Sequence, residues 1–279
     1  MEHETLASGP GWSVSDVVCN AGPHDRPFEE RHEAVCIAAV TQGTFQYRSA
    51  LGTVVLAPGA LLLGNAGTCF ECGHEHAIGD RCISFHFAPD RLEAIATAVP
   101  GARRLAFTVP RLPPLPALMP IVAAAEVARD ERDSAELEEL ALCLGGAVVA
   151  ALADVKPQVR QPSRRDERRV TEALRRIEAQ AQEPLTVGDL ARDAAMSPYH
   201  FLRVFTQVAG MTPHQFVLRT RLHRAAVCLR RSNDAVLGIA LEAGFNDLST
   251  FVRRFRNIMG VSPSQLRARN AAERHASKV

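Results

Sequence analysis

Between Cys69 and Cys82 the sequence reads Cys-Phe-Glu-Cys-Gly-His-Glu-His-Ala-Ile-Gly-Asp-Arg-Cys. Three of the seven cysteines and two of the ten histidines fall in this stretch. Cys69 and Cys72 form a Cys-x2-Cys pair, the spacing with which two thiolates of one turn reach a single ion. Cys82 adds a third sulfur, and His74, His76 or Cys36 would supply a fourth ligand. Three thiolates favour Zn(II), Cu(I) or an iron–sulfur centre over hard cations. The same sulfurs also read as a redox-active set. A third reading makes them small buried hydrophobes, as is expected of Cys143 and Cys228.

The second group of chemically informative residues is a repeat. Phe201-Leu202-Arg203-Val204-Phe205, followed by Gly210-Met211-Thr212-Pro213-His214-Gln215, recurs fifty residues later. The second copy is Phe251-Val252-Arg253-Arg254-Phe255, followed by Gly260-Val261-Ser262-Pro263-Ser264-Gln265. Phenylalanines four apart share one face of a helix, and the arginine between them lies on another. Each copy is therefore a helix with an apolar back and a basic front, and the fixed period marks one unit used twice.

These helices need elements to hold them. Upstream of the first lies a helix beginning at Val187, with Thr186 and Asp189 in a capping-box pattern. Upstream of the second lies Val236 to Leu241. The pairs are joined by tight turns at Ala195-Met196 and Gly244-Phe245, and Ser197-Pro198 is a strong helix start. Helix, tight turn and basic-faced helix is the helix-turn-helix unit, whose second helix enters the DNA major groove. Residues 211–231 read as a long spacer helix with Phe216, Leu222, Ala226 and Leu229 inward. Such a spacer would set the two units about 34 Å apart, one turn of B-DNA.

Over about residues 165–270 the chain resembles the AraC/XylS family of bacterial transcription regulators. The run that carries the resemblance is Ile239-Ala240, Gly244-Phe245-Asn246-Asp247, Ser249, Phe251, Arg253, Phe255-Arg256, Gly260 and Ser262-Pro263. Leu266 departs from it, standing where the family usually has an aromatic. The resemblance implies base contacts from Tyr199, Leu202 and Arg203 in the first reading helix. In the second it implies Leu248, Ser249, Val252 and Arg253. Arg203 and Arg253 suit guanine O6 and N7, and the apolar side chains suit a thymine methyl. Thr206, Arg254 and Arg256 suit phosphates. The expected partners are double-stranded promoter DNA, a second copy of the chain and RNA polymerase.

Residues 1–110 read as short strands with Gly and Pro punctuation: Val35–Val40, Thr44–Arg48, Thr53–Leu56, Leu61–Leu63 and Cys82–Phe87. That pattern suggests a barrel or jelly roll, and the resemblance implies a cupin-like sensory barrel. Residues 111–154 come next as a helical packing or dimerisation segment, with Leu137, Leu140, Leu144, Val148 and Leu152 on one face. Residues 155–169 read as a linker and 170–270 as the double reader, giving an α+β chain overall. Residues 1–159 carry 11 Lys and Arg against 20 Asp and Glu, whereas residues 160–279 carry 21 against 11. An acidic half beside an arginine-rich basic half fits a nucleic-acid module beside one that avoids it.

No signal peptide or membrane span is apparent, so a cytoplasmic protein with reduced cysteines is expected. His74-x-His76 begins a cupin-enzyme ligand pattern, but Arg81 and Cys82 stand where its carboxylate is needed. The chain is therefore expected not to be an enzyme. The alternative within the same class is a small-molecule-responsive regulator whose Cys loop is purely structural.

Overall fold

A computed structural model describes residues 2–27, 29–74, 79–102, 106–153 and 162–268. The chain divides into two compact units, the first holding residues 1–161 and the second nearly all of residues 162–279. No helix among the described residues is long and apolar enough to cross a membrane.

The first unit opens with strands β1 (Glu2–Gly9) and β2 (Trp12–Cys19), an antiparallel hairpin turned at Pro10-Gly11. Gly11 has φ 73°, and proline before a left-handed glycine is the type II turn pattern. Next come β3 (Glu29–Arg31), β4 (Val35–Gly43), β5 (Phe45–Ser49), β6 (Gly52–Leu56), β7 (Leu61–Gly64), β8 (Cys69–Gly73) and β9 (Asp80–Phe87). Helix α1 (Pro89–Ala98), strand β10 (Arg111–Leu112), and helices α2 (Met119–Asp130) and α3 (Ser134–Leu152) complete it. Among the described residues one sheet runs β1-β2-β9-β4-β7-β10 and the other β3-β8-β5-β6.

The two sheets enclose a core of Val17, Cys36, Ala38, Val40, Leu62 and Cys82 from the larger and Phe45, Tyr47 and Leu56 from the smaller. Half-buried Phe70 and Cys72 of β8 pack against it. The alternate residues of the large sheet, Ile37, Ala39, Leu63, Ile83 and Phe85, are also fully buried. Helix α3 packs on β1, β2 and α1, and Gly145 brings its backbone close to Ile95 and Phe87. Because both faces are covered at the centre of this sheet, β4 and β7 read as apolar runs instead of alternating. The stripe expected on α3 is largely used here: Leu137, Leu144 and Val148 are fully buried, while Leu140 and Leu152 are half-buried.

Two differences from expectation stand out. Cys69–Gly73, which reads as part of a loop, is strand β8, and β1 and β2 carry enough charged residues to hide their pairing from hydropathy. Arg164 to Arg169, expected in the linker, begin helix α4 (Arg164–Gln180), with Ser163 accepting from the Asp166 N–H at its start. Residues 154–161 lie outside the described residues.

A buried histidine marks the inner face of the small sheet. His32 Nε2 lies 2.9 Å from the Tyr47 hydroxyl, and its ring stacks on Phe70 at 4.1 Å. Gly64 leaves room for that ring, since a Cβ there would fall 2.2 Å from His32 Nε2.

The second unit continues with α5 (Val187–Asp193), α6 (Pro198–Ala209), α7 (Pro213–Arg231), α8 (Val236–Glu242) and α9 (Leu248–Met259). The first helices of the two copies end alike. The Met196 N–H donates to the Ala191 carbonyl and the Phe245 N–H to the Ala240 carbonyl, the same six-to-one closure. The turn residue is left-handed in both, Ala195 at φ 49° and Gly244 at φ 88°. Both reading helices stop at left-handed glycines, Gly210 and Gly260. Each is followed by a reciprocal cap: Thr212 with Gln215, and Ser262 with Gln265. The repeated phrase is therefore a helix stop and a helix start, written twice.

Helix α7 spans 19 residues, about 28 Å at the usual rise. Its Leu222, Ala225 and Leu229 join Ile239, Ala240, Phe245, Phe251 and Phe255 in one core, and Leu266 packs against it. Phe216 and Ala226, expected inward, are half-buried, and Val217 and Ala225 are the buried residues beside them. Arg221 of α7 donates to the carbonyls of Ala181, Glu183 and Gly244. Gly244 itself approaches so closely that a Cβ would fall 2.5 Å from the Gln182 carbonyl oxygen.

The buried histidine makes stability depend on pH. Burial holds the His32 imidazole down at about 4, with His86 adding to the effect. The unfolded chain then binds more protons than the folded one between the ordinary value of 6.5 and about 4. Stability should fall as pH drops through that window, by at most about 3 kcal/mol from His32; His86, also lowered by burial, acts in the same sense. Urea unfolding at pH 7 and pH 5 should show the loss, and His32→Gln should reduce it. At the turns, Gly244→Ala should destabilise the second unit by more than about 1 kcal/mol, through clash and left-handed strain. Ala195→Gly should be neutral or stabilising by up to about 1 kcal/mol. Thermal melts of the two variants read the contrast.

Candidate nucleic-acid interface and thiol cluster

The faces of the reading helices are set by their phenylalanines. Phe201 and Phe205, with ring centroids 5.6 Å apart, are fully buried, as are Phe251 and Phe255 at 5.4 Å. In α6 this turns Arg203 and Thr206 away from the core, both half-buried, with Tyr199 in the first turn also half-buried. Leu202 is the exception among the expected base contacts. It is 3% exposed, because one residue step of about 100° from Arg203 carries it toward the Phe201 and Phe205 side. Leu202 is thus placed for packing.

In α9 Leu248, Ser249, Arg253 and Arg256 are exposed, and Arg254 is half-buried. Val252 is half-buried and packs against the core while keeping an outer edge. The helix starts at Asp247, whose carboxylate accepts the Thr250 N–H at 2.7 Å. That backbone N–H holds the Asp247 carboxyl below the usual carboxylate range. The same position before α6 is Ser197, accepting from the His200 N–H at 3.4 Å. The first helices of the two units are offset by 49 residues and the reading helices by 50. The second copy therefore inserts one residue between its turn and its reading helix.

The cysteines are arranged differently from the spacing argument. In a strand, residues three apart face opposite sides, so Cys69 is exposed on β8 while Cys72 turns inward. Cys82 and Cys36 sit in the core of the sandwich, each about 5% exposed or less. Burial pushes the Cys36 thiol up to about 12 and also raises Cys72 and Cys82. Cys36 is therefore a small buried hydrophobe. His76 lies outside the described residues.

The donors that converge are others. Cys19 at the end of β2 is the register partner of Asp80 at the start of β9. His74, just past β8, places Nε2 2.6 Å from Asp80 Oδ2, with both side chains under a tenth exposed. The ligand atoms of Cys19, His74 and Asp80 all lie within 4.8 Å of one another. Cys82 points its Sγ at the other carboxylate oxygen, 3.5 Å away. Of the residues expected in a metal site, His74 belongs to this group, and Cys82 borders it through Asp80. Spacing does not point to Cys19 or Asp80, since only strand register brings Cys19 to this end of the sheet.

Helix, left-handed turn and reading helix, built twice around one spacer, define a double helix-turn-helix module. A helix-turn-helix domain family matches residues 190–269. The HTH-type transcriptional activator AarP of Providencia stuartii is 33% identical over 98 residues, 35% of this chain and 73% of AarP. An uncharacterized HTH-type transcriptional regulator of Haemophilus influenzae is 40% identical over 101 residues, 36% of this chain and 34% of that protein. A solved AraC-type transcriptional regulator from Chromobacterium violaceum is 31% identical, with 38% of this chain and 94% of that one covered and a TM-score of 0.36. The chain spans about a third of the length of the first curated relatives it matches. It belongs to the AraC-type family of helix-turn-helix transcription regulators.

If Arg203 and Arg253 read bases, alanine at either should cost about 1–3 kcal/mol at one base pair and relax selectivity there. Arg256→Ala should weaken all sequences alike. Binding titrations against single-base variants of a selected site distinguish the two patterns.

Proposed function

We propose that this protein binds double-stranded promoter DNA sequence-selectively and regulates transcription. The observation that carries the reading is the paired construction of α5–α6 and α8–α9, with matching turn hydrogen bonds. Each pair presents arginine-bearing faces opposite a phenylalanine core. The excess of ten positive charges in residues 160–279 suits a polyanionic partner.

In this reading Tyr199, Arg203, Leu248, Ser249, Val252 and Arg253 face bases, and Thr206, Arg254 and Arg256 face phosphates. Leu202 supports α6 from behind. The two-sheet first unit, which we read as cupin-like, receives the signal. A cytoplasmic homodimer that touches RNA polymerase completes the proposal. Because the stripe on α3 largely covers its own sheet, exposed Met119 and Val127 of α2 are the better candidates for a dimer contact.

Two kinds of signal fit this unit. One is a metal or redox input at the thiol-rich end of the sandwich. The other is a small molecule, with structural cysteines, and the burial of Cys36 in the core favours it for that residue.

Selection of random duplexes on the full-length protein should yield one enriched site with two blocks about one helical turn apart. Affinity for that site should fall steeply with salt, the logarithm of the constant decreasing linearly with the logarithm of the salt concentration. Enrichment of no sequence, or affinity indifferent to salt, would sink the proposal.

A further inference from the structure

We propose that Cys19, His74 and Asp80, with Cys82 as the fourth donor, bind a divalent transition ion of the zinc type in the first unit. This site deepens the metal reading of the signal and rests on it only for the regulatory consequence; ion binding itself does not depend on DNA binding.

The donors converge. Two atoms bonded to one ion at about 2.0–2.3 Å lie no more than about 4.6 Å apart. The sulfur of Cys19, an imidazole nitrogen of His74 and a carboxylate oxygen of Asp80 meet near that limit. Cys82 Sγ stands 3.5 Å from the second carboxylate oxygen. Sulfur, nitrogen and oxygen together select a borderline ion such as Zn(II) and disfavour calcium or magnesium.

The fold also builds a place for the ion. The four donors come from the end of β2, the residue after β8 and two same-face positions of β9, so rigid strands fix them. Two glycines let the strand ends that carry the donors pack closely. Gly43 lies so close to Gly79 and Asp80 that a Cβ would fall 2.2 Å from the Gly79 carbonyl oxygen. Gly79 takes φ 71° directly before Asp80. The Phe45 ring lies 6.0 Å from His74 and closes the inner side.

Loading leaves the net charge of the pocket unchanged, because one divalent ion replaces two protons. His74 and Asp80 are buried as a hydrogen-bonded pair, and the thiols beside them are neutral while protonated. Binding a divalent ion releases the thiol protons to solvent, and two thiolates, one carboxylate and a neutral imidazole then surround two positive charges. In a tetrahedral site ligand atoms stand about 3.3–3.7 Å apart, whereas His74 Nε2 and Asp80 Oδ2 now stand at 2.6 Å. Loading must therefore part this pair and shift the end of β8 against β9. That movement is the lever by which ion binding would reach the rest of the unit.

The test uses the full chain, stripped of metal under reducing, oxygen-free conditions and titrated with Co(II). One equivalent should give tetrahedral ligand-field bands and a thiolate-to-cobalt charge-transfer band, and Zn(II) should displace them. Cys19→Ser and Asp80→Asn should each weaken binding at least tenfold, while Cys69→Ser leaves it unchanged. Because a buried substitution can unfold the sandwich, the wild type supplies a second measurement. Saturating Zn(II) should slow alkylation of Cys19 at least tenfold and leave Cys69 reactive, as read by mass spectrometry of the labelled peptides. Absence of a one-to-one thiolate complex, or equal loss on Cys69→Ser and Cys19→Ser, would overturn the site. Equal protection of Cys69 and Cys19 would do the same. Promoter binding measured on the same samples separates the two ideas: a chain that binds DNA but no ion keeps the regulator and discards the site.

Discussion

The second unit depends on one guanidinium. Arg221 sits midway along α7 and divides its donors among the carbonyls of Ala181, Glu183 and Gly244. Those acceptors belong to the end of α4 and to the turn between α8 and α9, segments far apart in sequence. Helix ends leave carbonyls without intrahelical partners, and here one planar, always charged group satisfies several of them at once. The arrangement works because Gly244 has no side chain to hold it away from residue 182. A lysine would reach one carbonyl at a time and leave the others to water. The turn that aims α9 is therefore fixed by α7 as well as by its own hydrogen bonds, so spacer and reader are not independent parts.

The first unit answers a different constraint. Its larger sheet is buried on both faces, by the smaller sheet on one side and by α1 and α3 on the other. Any polar group entering that volume must bring a partner, since a buried polar atom left unpaired costs more than its hydrogen bond contributes. His32 finds Tyr47, His74 finds Asp80, and Asp16 finds the forked guanidinium of Arg81 at 2.6 Å. Cys36 needs less, as a thiol is close to an apolar side chain in its demands. Two of these pairs lie toward the strand ends around residues 16–19 and 80–82, and midway along β2 and β9 the buried polar side chains are the small hydroxyls of Ser15 and Ser84.

How much of this is legible in the sequence depends on whether spacing or register carries the information. The reader is legible because helical spacing preserves faces: Phe201 with Phe205, and Phe251 with Phe255, declare the core side without any further knowledge. Leu202 is misplaced by the same rule because it lies one residue from both sides of that division, and spacing alone does not resolve a boundary position. The strands at Val35, Leu61 and Cys82 are visible as apolar runs. Strands β1 and β2 are not, because Glu2, Glu4 and Asp16 mask the pairing. The Cys-x2-Cys spacing misleads for a physical reason. It brings sulfurs together in a turn, but the same spacing on an extended strand sends Cys69 outward and Cys72 inward. Cys19 stands more than fifty positions before His74, and nothing local connects them; the link is the antiparallel register of β2 with β9.

The unequal caps of the two reading helices have a further consequence. A helix N-terminus carries about half a positive charge and free N–H groups, which makes it a natural seat for a phosphate. Before α9 that seat is already taken by the Asp247 carboxylate, a full negative charge bonded to the Thr250 N–H. Before α6 the corresponding Ser197 is neutral and holds its N–H at 3.4 Å. Two helices that repeat one phrase thus present unlike ends to an anion, a neutral hydroxyl before α6 and a full negative charge before α9, and the difference rests on one capping residue.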